Sequence, residues 1–133
     1  MTDYVSSSGK IFNIEEMPQP HLVNAMKKNL RKAIDRKMKH LASAVILNPL
    51  IILYSQSLEK YSGLDLRNIK IEMIRRGKEQ EYNETLDKDE ILFTSLALTT
   101  REAFYTSLLT KVNACMILTK SLEIAKKETE DYI

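Results

Sequence analysis

Apolar residues recur at helical spacing through the first third of the chain. They follow one another at steps of three and four residues, as Val23, Met26, Leu30, Ile34, Met38, Leu41 and Val45. This spacing places all of them on one face of an α-helix. The pattern therefore predicts a long amphipathic helix whose apolar face lies in the core.

A second helix is predicted after this one, because Asn48 is a good N-cap and Pro49 fits a first helical turn. It is expected to run from Pro49 to about Tyr61, and Gly63 is expected to end it. Residues 50–53 are apolar on every side. This helix is therefore expected to be largely enclosed or to form a subunit contact.

Residues 65–76 fit two kinds of structure. Leu66, Ile69 and Met73 have helical spacing, whereas Ile69, Ile71 and Met73 alternate with charged residues as in a strand. The helix is favoured because the segment sits among helices and ends in Arg-Arg-Gly, a plausible C-terminal cap.

The last 45 residues are predicted to be helical throughout, after a polar acidic connector at residues 78–88. Thr99 and Glu102 have capping-box spacing, so either two helices meet near Thr99 or one helix passes through it. One apolar stripe contains Phe104, Leu108, Val112, Cys115 and Leu122, and a second beside it contains Tyr105, Leu109 and Met116. Two stripes on one helix require two neighbours, in a bundle interior or at an oligomer seam.

The N-terminal residues have a different character. Tyr4-Val5 and Ile11-Phe12 flank the sequence SSSGK, in which Gly9 supplies a turn, so residues 4–16 are predicted to be a small hairpin or extended arm. With 133 residues, the chain is long enough for one core. The predicted fold is mainly α: a single domain over residues 1–133, built as a small, oligomeric helical bundle with an N-terminal arm over residues 1–19.

Composition indicates a protein of the cytoplasm. Cys115 is the only cysteine, so no internal disulfide can form, and its place in an apolar stripe predicts core packing. The N-terminus lacks the profile of a signal peptide. The most apolar run, residues 41–54, is interrupted by polar residues and shorter than the roughly 20 residues of a membrane span, so no membrane association is expected.

Charge is unevenly distributed. Residues 20–40 hold seven lysines and arginines against Asp35, a local charge of +6, whereas residues 78–90 hold six acids against two lysines, a local charge of −4. Such patches steer charged partners. Alternatively, the two patches face each other within a protomer or across a dimer.

No catalytic or metal-binding motif is present in the sequence. His21 and His40 are too far apart for a shared helical metal site, and SSSGK lacks the leading glycine and the following Ser/Thr of a P-loop. We therefore predict no enzyme activity, no metal and no cofactor.

The basic helix carries the main candidate site, for an anionic ligand. We expect Lys27, Arg31 and Lys37 to contact the anion, and Arg101 with Phe104 to hold a base-like group by stacking. A solvated basic face, with Phe104 in the core, is the structural alternative. Binding of nucleic acid by the helix at residues 27–40 is a third interpretation.

Residues 34–61 resemble the small sporulation-type aspartyl-phosphate phosphatases of Gram-positive bacteria. Those proteins are helical hairpins whose second helix carries Ser-Gln-x-Leu-Asp, and here the matching residues are Ser55, Gln56, Leu58 and Glu59. The resemblance implies a regulator of a two-component system that acts through Gln56 and Glu59. The chain departs from the family at Glu59, where the family has Asp.

Residues 9–28, GKIFNIEEMPQPHLVNAMKK, resemble the openings of small accessory proteins of tailed bacteriophages. The resemblance implies a non-enzymatic counter-defence protein in the host cytoplasm. Such a protein would sequester an anionic partner, such as a nucleotide second messenger, or block a host protein.

Overall fold

The computed structural model describes residues 3–130, which are mainly α-helical with a short N-terminal hairpin, as the sequence predicts. Strands β1 (Asp3–Val5) and β2 (Ile11–Asn13) pair antiparallel. The helices of the described chain are α1 (Gln19–Leu47), α2 (Ile51–Tyr54), α3 (Leu64–Arg75) and α4 (Glu79–Glu130). Single 3-10 turns lie at Ile14–Glu16 and Leu58–Tyr61. The chain divides into two compact units, Met1–Leu98 and Thr99–Ile133.

The predicted N-terminal hairpin is confirmed. Its turn closes through hydrogen bonds from the Ser6 amide to the Lys10 carbonyl (2.8 Å) and from the Gly9 amide to the Ser6 carbonyl (2.9 Å). Gly9 adopts a φ of 85°, which suits glycine. Tyr4 and Ile14 are buried, and they anchor the arm to the core of the first unit.

The first unit is built around α1, and its predicted stripe is confirmed. Met26, Leu30 and Ile34 are buried, whereas the basic residues on the opposite side are exposed: Lys28, Lys32, Arg36 and Lys39. Largely buried residues of α3 and of the first part of α4 complete this core, among them Ile69, Met73, Tyr82 and Phe93.

The helix predicted from Pro49 to about Tyr61 is wrong. α2 ends at Tyr54, and helical structure resumes only in the 3-10 turn Leu58–Tyr61. Serine side chains explain the break, because Ser55 Oγ donates to the Ile52 carbonyl (2.7 Å) and Ser57 Oγ accepts from the Glu59 amide (3.4 Å). Such local bonds compete with helix propagation.

The predicted enclosure of residues 50–53 within the chain is also wrong for two of the four residues. Leu50 and Leu53 are exposed, whereas Ile51 and Ile52 pack against the core. A subunit contact through these residues stays a prediction.

The ambiguous segment at residues 65–76 is helical, as favoured. α3 ends in a Schellman motif, in which the Lys78 amide donates to the Met73 carbonyl (2.8 Å) and the Gly77 amide donates to the Ile74 carbonyl (3.0 Å). Gly77 has the left-handed φ of 72° that this motif requires.

The acidic connector predicted at residues 78–88 is instead the start of α4. Tyr82 and Leu86 are buried in the core of the first unit, and burying them at helical spacing requires a helix. Among the described residues, no helix combines the length and the apolar character needed to cross a membrane.

The second unit is described as helix from Thr99 to Glu130, and α4 has no break at Thr99. From Glu102 to Glu130 every residue except the half-buried Tyr105 is exposed. The predicted bundle interior is therefore wrong for this segment within the chain. Cys115, predicted to be in the core, is exposed as well.

Candidate functional site

The basic face of α1 partly meets the acidic stretch of α4 within the first unit. Arg31 Nε lies 3.5 Å from Asp89 Oδ2, and Lys37 Nζ lies 3.7 Å from Glu90 Oε2. This is the arrangement in which the two charged patches face each other within a protomer. Two of the three cations expected to hold an anion thus already have carboxylate partners.

Lys37 is a structural residue in this arrangement. Its side chain is only 3% exposed, and its Nζ lies 4.3 Å from the centre of the Phe93 ring, at cation–π distance. Burial lowers the pKa of Lys37, and the neighbouring Glu90 carboxylate opposes that shift. A solvent anion does not reach this ammonium in the described conformation.

Lys27 and Arg31 stay accessible. The Arg31 side chain is 63% exposed and Lys27 is exposed. Burial raises the pKa of Asp89, while Arg31 and Lys27 act in the opposite direction. The two cations therefore compensate an internal carboxylate, which reduces their capacity for an external anion.

The two residues expected on the base side lie in the second unit. Arg101 Cζ is 4.8 Å from the centre of the Tyr105 ring, and Phe104 meets the same ring edge-on at 5.5 Å. Phe104 is 46% exposed, so it is not a core residue of the chain.

Glu90 fixes the 3-10 turn that follows α2. Its Oε1 accepts hydrogen bonds from Ser57 Oγ (2.8 Å) and from the Leu58 amide (2.6 Å), while its Oε2 faces Lys37. Leu58 is fully buried beneath the turn. This carboxylate therefore links α1, α4 and the turn, and it sets the position of Glu59 and Lys60.

A second polar cluster lies beside that turn. Glu59 Oε2 accepts hydrogen bonds from Lys70 Nζ and from the Tyr82 hydroxyl, both at 2.9 Å. Burial and the neighbouring Glu59 carboxylate raise the pKa of Tyr82. Tyr82 is therefore a neutral donor near neutral pH, and it holds Glu59 and Lys70 in a fixed geometry.

An open cavity of about 790 Å³ lies over this cluster, and we call it the α3 cavity. The 3-10 turn contributes Glu59 and Lys60, α3 contributes Arg67, Lys70 and Ile71, and α4 contributes Tyr82. Its volume falls within the range of roughly 300–1,000 Å³ found for small-molecule sites.

The charge of the α3 cavity is positive. Lys60, Arg67 and Lys70 line it, and Glu59 is the one carboxylate among its lining residues. Lys60 and Arg67 are exposed, and neither forms an ion pair among the described residues. The lining therefore carries a net formal charge of +2, three cations less one carboxylate.

The walls of the α3 cavity add apolar surface. Leu64, Ile71 and Ile74 are exposed large hydrophobic residues of α3 that line it. Apolar walls beside a few fixed cations are typical of sites for organic anions.

Sequence reasoning missed this site because its cations come from two separate elements. The one available signal was on α3, where Arg67 and Lys70 are three residues apart and so share a helical face with Leu64 and Ile71.

The residues that carry the phosphatase resemblance lie around the same turn. Gln56 is exposed and lies between α2 and the 3-10 turn, and Glu59 is in the turn itself. Lys70 and Tyr82 both bind the same oxygen of the Glu59 carboxylate, Oε2, and so hold this side chain in place.

Neither histidine is among the lining residues of the α3 cavity. His40 Nδ1 lies 2.7 Å from the Tyr61 hydroxyl, and the His21 ring packs edge-on against Phe12 at 4.7 Å. Between residues 3 and 130, no three metal-ligating side chains are grouped as a metal site requires.

Comparison with other proteins adds no relative. No protein-family model matches the chain, and no curated protein or solved structure is significantly similar to it.

Proposed function

We propose that this protein is a non-enzymatic binding protein that captures a phosphate-bearing, nucleotide-sized anion in the α3 cavity. The observation that carries the proposal is the surplus of cations there: Lys60, Arg67 and Lys70 against the single carboxylate of Glu59. Phosphate oxygens are strong acceptors for ammonium and guanidinium groups. Lys60 and Arg67 supply the charge, and Lys70 is held in place by Glu59.

Shape supports a compact organic anion over a long polymer. The lining of the cavity combines the apolar side chains of Ile71 and Ile74 with Lys60 of the turn. A base or ribose ring packs against the apolar wall while its phosphate meets the cations. The α3 cavity replaces Lys27, Arg31 and Lys37 as the proposed location of the ligand. Arg31 and Lys37 already pair with carboxylates of α4.

The biological role proposed for this binding is sequestration. It rests on the resemblance of residues 9–28 to openings of small phage accessory proteins. A protein that acts stoichiometrically needs affinity and abundance rather than a catalytic group. The nucleotide messengers of antiviral signalling are the ligand class that fits both the cavity and this role.

A thermal-shift panel of cyclic dinucleotides and cyclic ADP-ribose isomers tests the proposal. A ligand that binds only the native state raises the melting temperature. The double variant Lys60→Glu/Arg67→Glu is expected to weaken binding at least about tenfold, because it replaces two attractive charges by repulsive ones.

Lys28→Glu/Lys32→Glu is the matched control, since it makes the same charge change on exposed residues of α1. It is expected to bind like the wild type. Equal losses in both double variants would mean that net charge alone drives binding. No response to any messenger would contradict the nucleotide proposal and point to an acidic surface of a host protein.

Nucleic acid is the second candidate, favoured by the exposed cations Lys28, Lys32 and Lys39 on α1. Binding to random-sequence DNA that falls steeply with salt would support it. In that case Lys28→Glu/Lys32→Glu loses binding and Lys60→Glu/Arg67→Glu keeps it, the reverse of the pattern expected for the α3 cavity.

A further inference from the structure

The second unit presents a largely apolar surface. Residues spaced by alternating steps of three and four lie along one side of its helix, and we call them the C-terminal seam: Tyr105, Leu108, Val112, Cys115, Thr119 and Leu122. Leu109 and Met116 flank this seam and are 62% and 56% exposed. A shallow groove of about 500 Å³ follows the seam, lined in part by Val112, Cys115 and Met116.

The spacing of the seam is that of a coiled coil. Positions that alternate by three and four residues return to the same side of a helix every seven residues, so a partner helix can follow them along the whole length. The hydroxyl of Thr119 does not interrupt the seam, because it donates within the helix to the Cys115 carbonyl (2.9 Å).

The composition of this helix limits its intrinsic stability. Between residues 99 and 130 it contains eight serines and threonines, which are weak helix formers. Helices in water depend on packing of an apolar face for most of their stability. Packing of its apolar side against a second helix would therefore stabilise it, and another copy of the chain is a partner that is always present.

The charges of the unit favour the same partner. Between residues 99 and 130, Arg101 and four lysines stand against four glutamates, a formal charge of +1. Two copies do not repel each other strongly, and no block of one sign selects an oppositely charged protein. Lys111, Lys120 and Glu123 border the groove along the seam, so both signs of charge are present there.

The apolar area is also sufficient for a dimer. At roughly 80–100 Å² for each apolar side chain removed from water, the seam with its flanking residues supplies on the order of 700 Å² per chain. A standard interface buries about 800 Å² per partner. We infer that the C-terminal seam pairs with a second copy of the chain and makes the protein a homo-oligomer.

Measurement of the solution mass of the full chain tests this inference. One chain has a mass of 15.4 kDa. At roughly 100 μM, where association with a micromolar Kd is nearly complete, light scattering after size exclusion is expected to give at least twice that mass. The melting temperature is expected to rise with protein concentration, as it does for an obligate dimer.

Two matched variants locate the interface. Leu108→Glu/Val112→Glu places charge in the seam and is expected to give a monomer whose far-ultraviolet circular dichroism shows reduced helix content. Ile117→Glu/Ile124→Glu makes the same kind of change at exposed residues outside the seam, and it is expected to keep the mass of the wild type.

A wild-type monomer at this concentration would overturn the inference, as would a Leu108→Glu/Val112→Glu variant that keeps the oligomeric mass. A monomer that gains helix content only with anionic lipid vesicles would also overturn it, and would assign the seam to a membrane surface.

Discussion

Buried charges in the first unit have oppositely charged partners, some on another helix and some within the same one. Lys37 on α1 meets Glu90 on α4, and Glu72 on α3 accepts from Arg75 Nε (2.8 Å) and Arg76 Nε (2.7 Å). Arg76 in turn donates to the Ile14 carbonyl at the N-terminal arm (3.2 Å). Such pairs add little net stability as pairs, but removing one partner leaves an uncompensated buried charge.

Glu90→Gln is expected to lower the free energy of unfolding by about 2–3 kcal/mol, because Lys37 then keeps its charge in the core without a counter-charge. Urea denaturation measures the change. Asp87→Asn, at an exposed position of the same helix, is the control and is expected to change stability by less than about 0.5 kcal/mol. Equal stability of Glu90→Gln and the wild type would show that the Lys37–Glu90 contact carries no such energy.

The buried carboxyl group of Glu72 leads to a prediction of how stability depends on pH. Hydrogen bonds from Arg75, together with Arg76, hold the pKa of this buried carboxyl below its ordinary value of 4.5, and burial only partly opposes them. A depressed folded-state pKa stabilises the protein above the unfolded-state pKa, and that contribution is lost as the pH falls through the folded-state pKa.

Stability of the wild type is therefore expected to fall as the pH drops from about 5 towards 3. Glu72→Gln is expected to cost about 2 kcal/mol near neutral pH and to lose less stability over the acid range. The test is urea denaturation across this pH series, with the exposed Glu84→Gln as control. Parallel pH curves for Glu72→Gln and the wild type would contradict the assignment.

Long helices and short ones were not equally predictable from the sequence. The repeated apolar spacing over α1 is long enough to outweigh local preferences, and it predicts both the buried and the exposed side. α2 has only four residues, Ile51–Tyr54, and the side-chain hydrogen bonds of Ser55 and Ser57 decide where it ends. Segments of this size depend on single contacts that periodicity does not report.

The end of α3 was predictable from a local signal, the sequence Arg-Arg-Gly at residues 75–77. Gly77 closes the Schellman motif with a positive φ, and the turn orients the start of α4.

Gly77→Ala is expected to lower stability by about 1 kcal/mol, because a side chain is strained in this conformation. Lys78→Ala is the control, since Lys78 is the next residue and is exposed; we expect a change within about 0.5 kcal/mol by thermal unfolding. Equal effects at Gly77 and Lys78 would argue against this explanation.

At the scale of the whole molecule, the sequence predicted the fold class and the basic face of α1 but not the α3 cavity. Lys60, Arg67 and Lys70 are spread over a turn and a helix, and only the tertiary fold brings them together around Glu59 and Tyr82. The ion pair of Lys37 was not predictable for the same reason, since its partner Glu90 lies on α4, distant in sequence. The spacing of residues predicts which of them share a helix face. It does not predict which helix faces pack against each other.

The most direct test of anion capture is an amide NMR titration of the isotope-labelled full chain with cyclic dinucleotides and cyclic ADP-ribose isomers. The proposal predicts saturable shifts concentrated between residues 57 and 74, where the lining of the α3 cavity is densest. Absence of shifts with every ligand, or shifts confined to the exposed cations of α1 at residues 28–39, would contradict it.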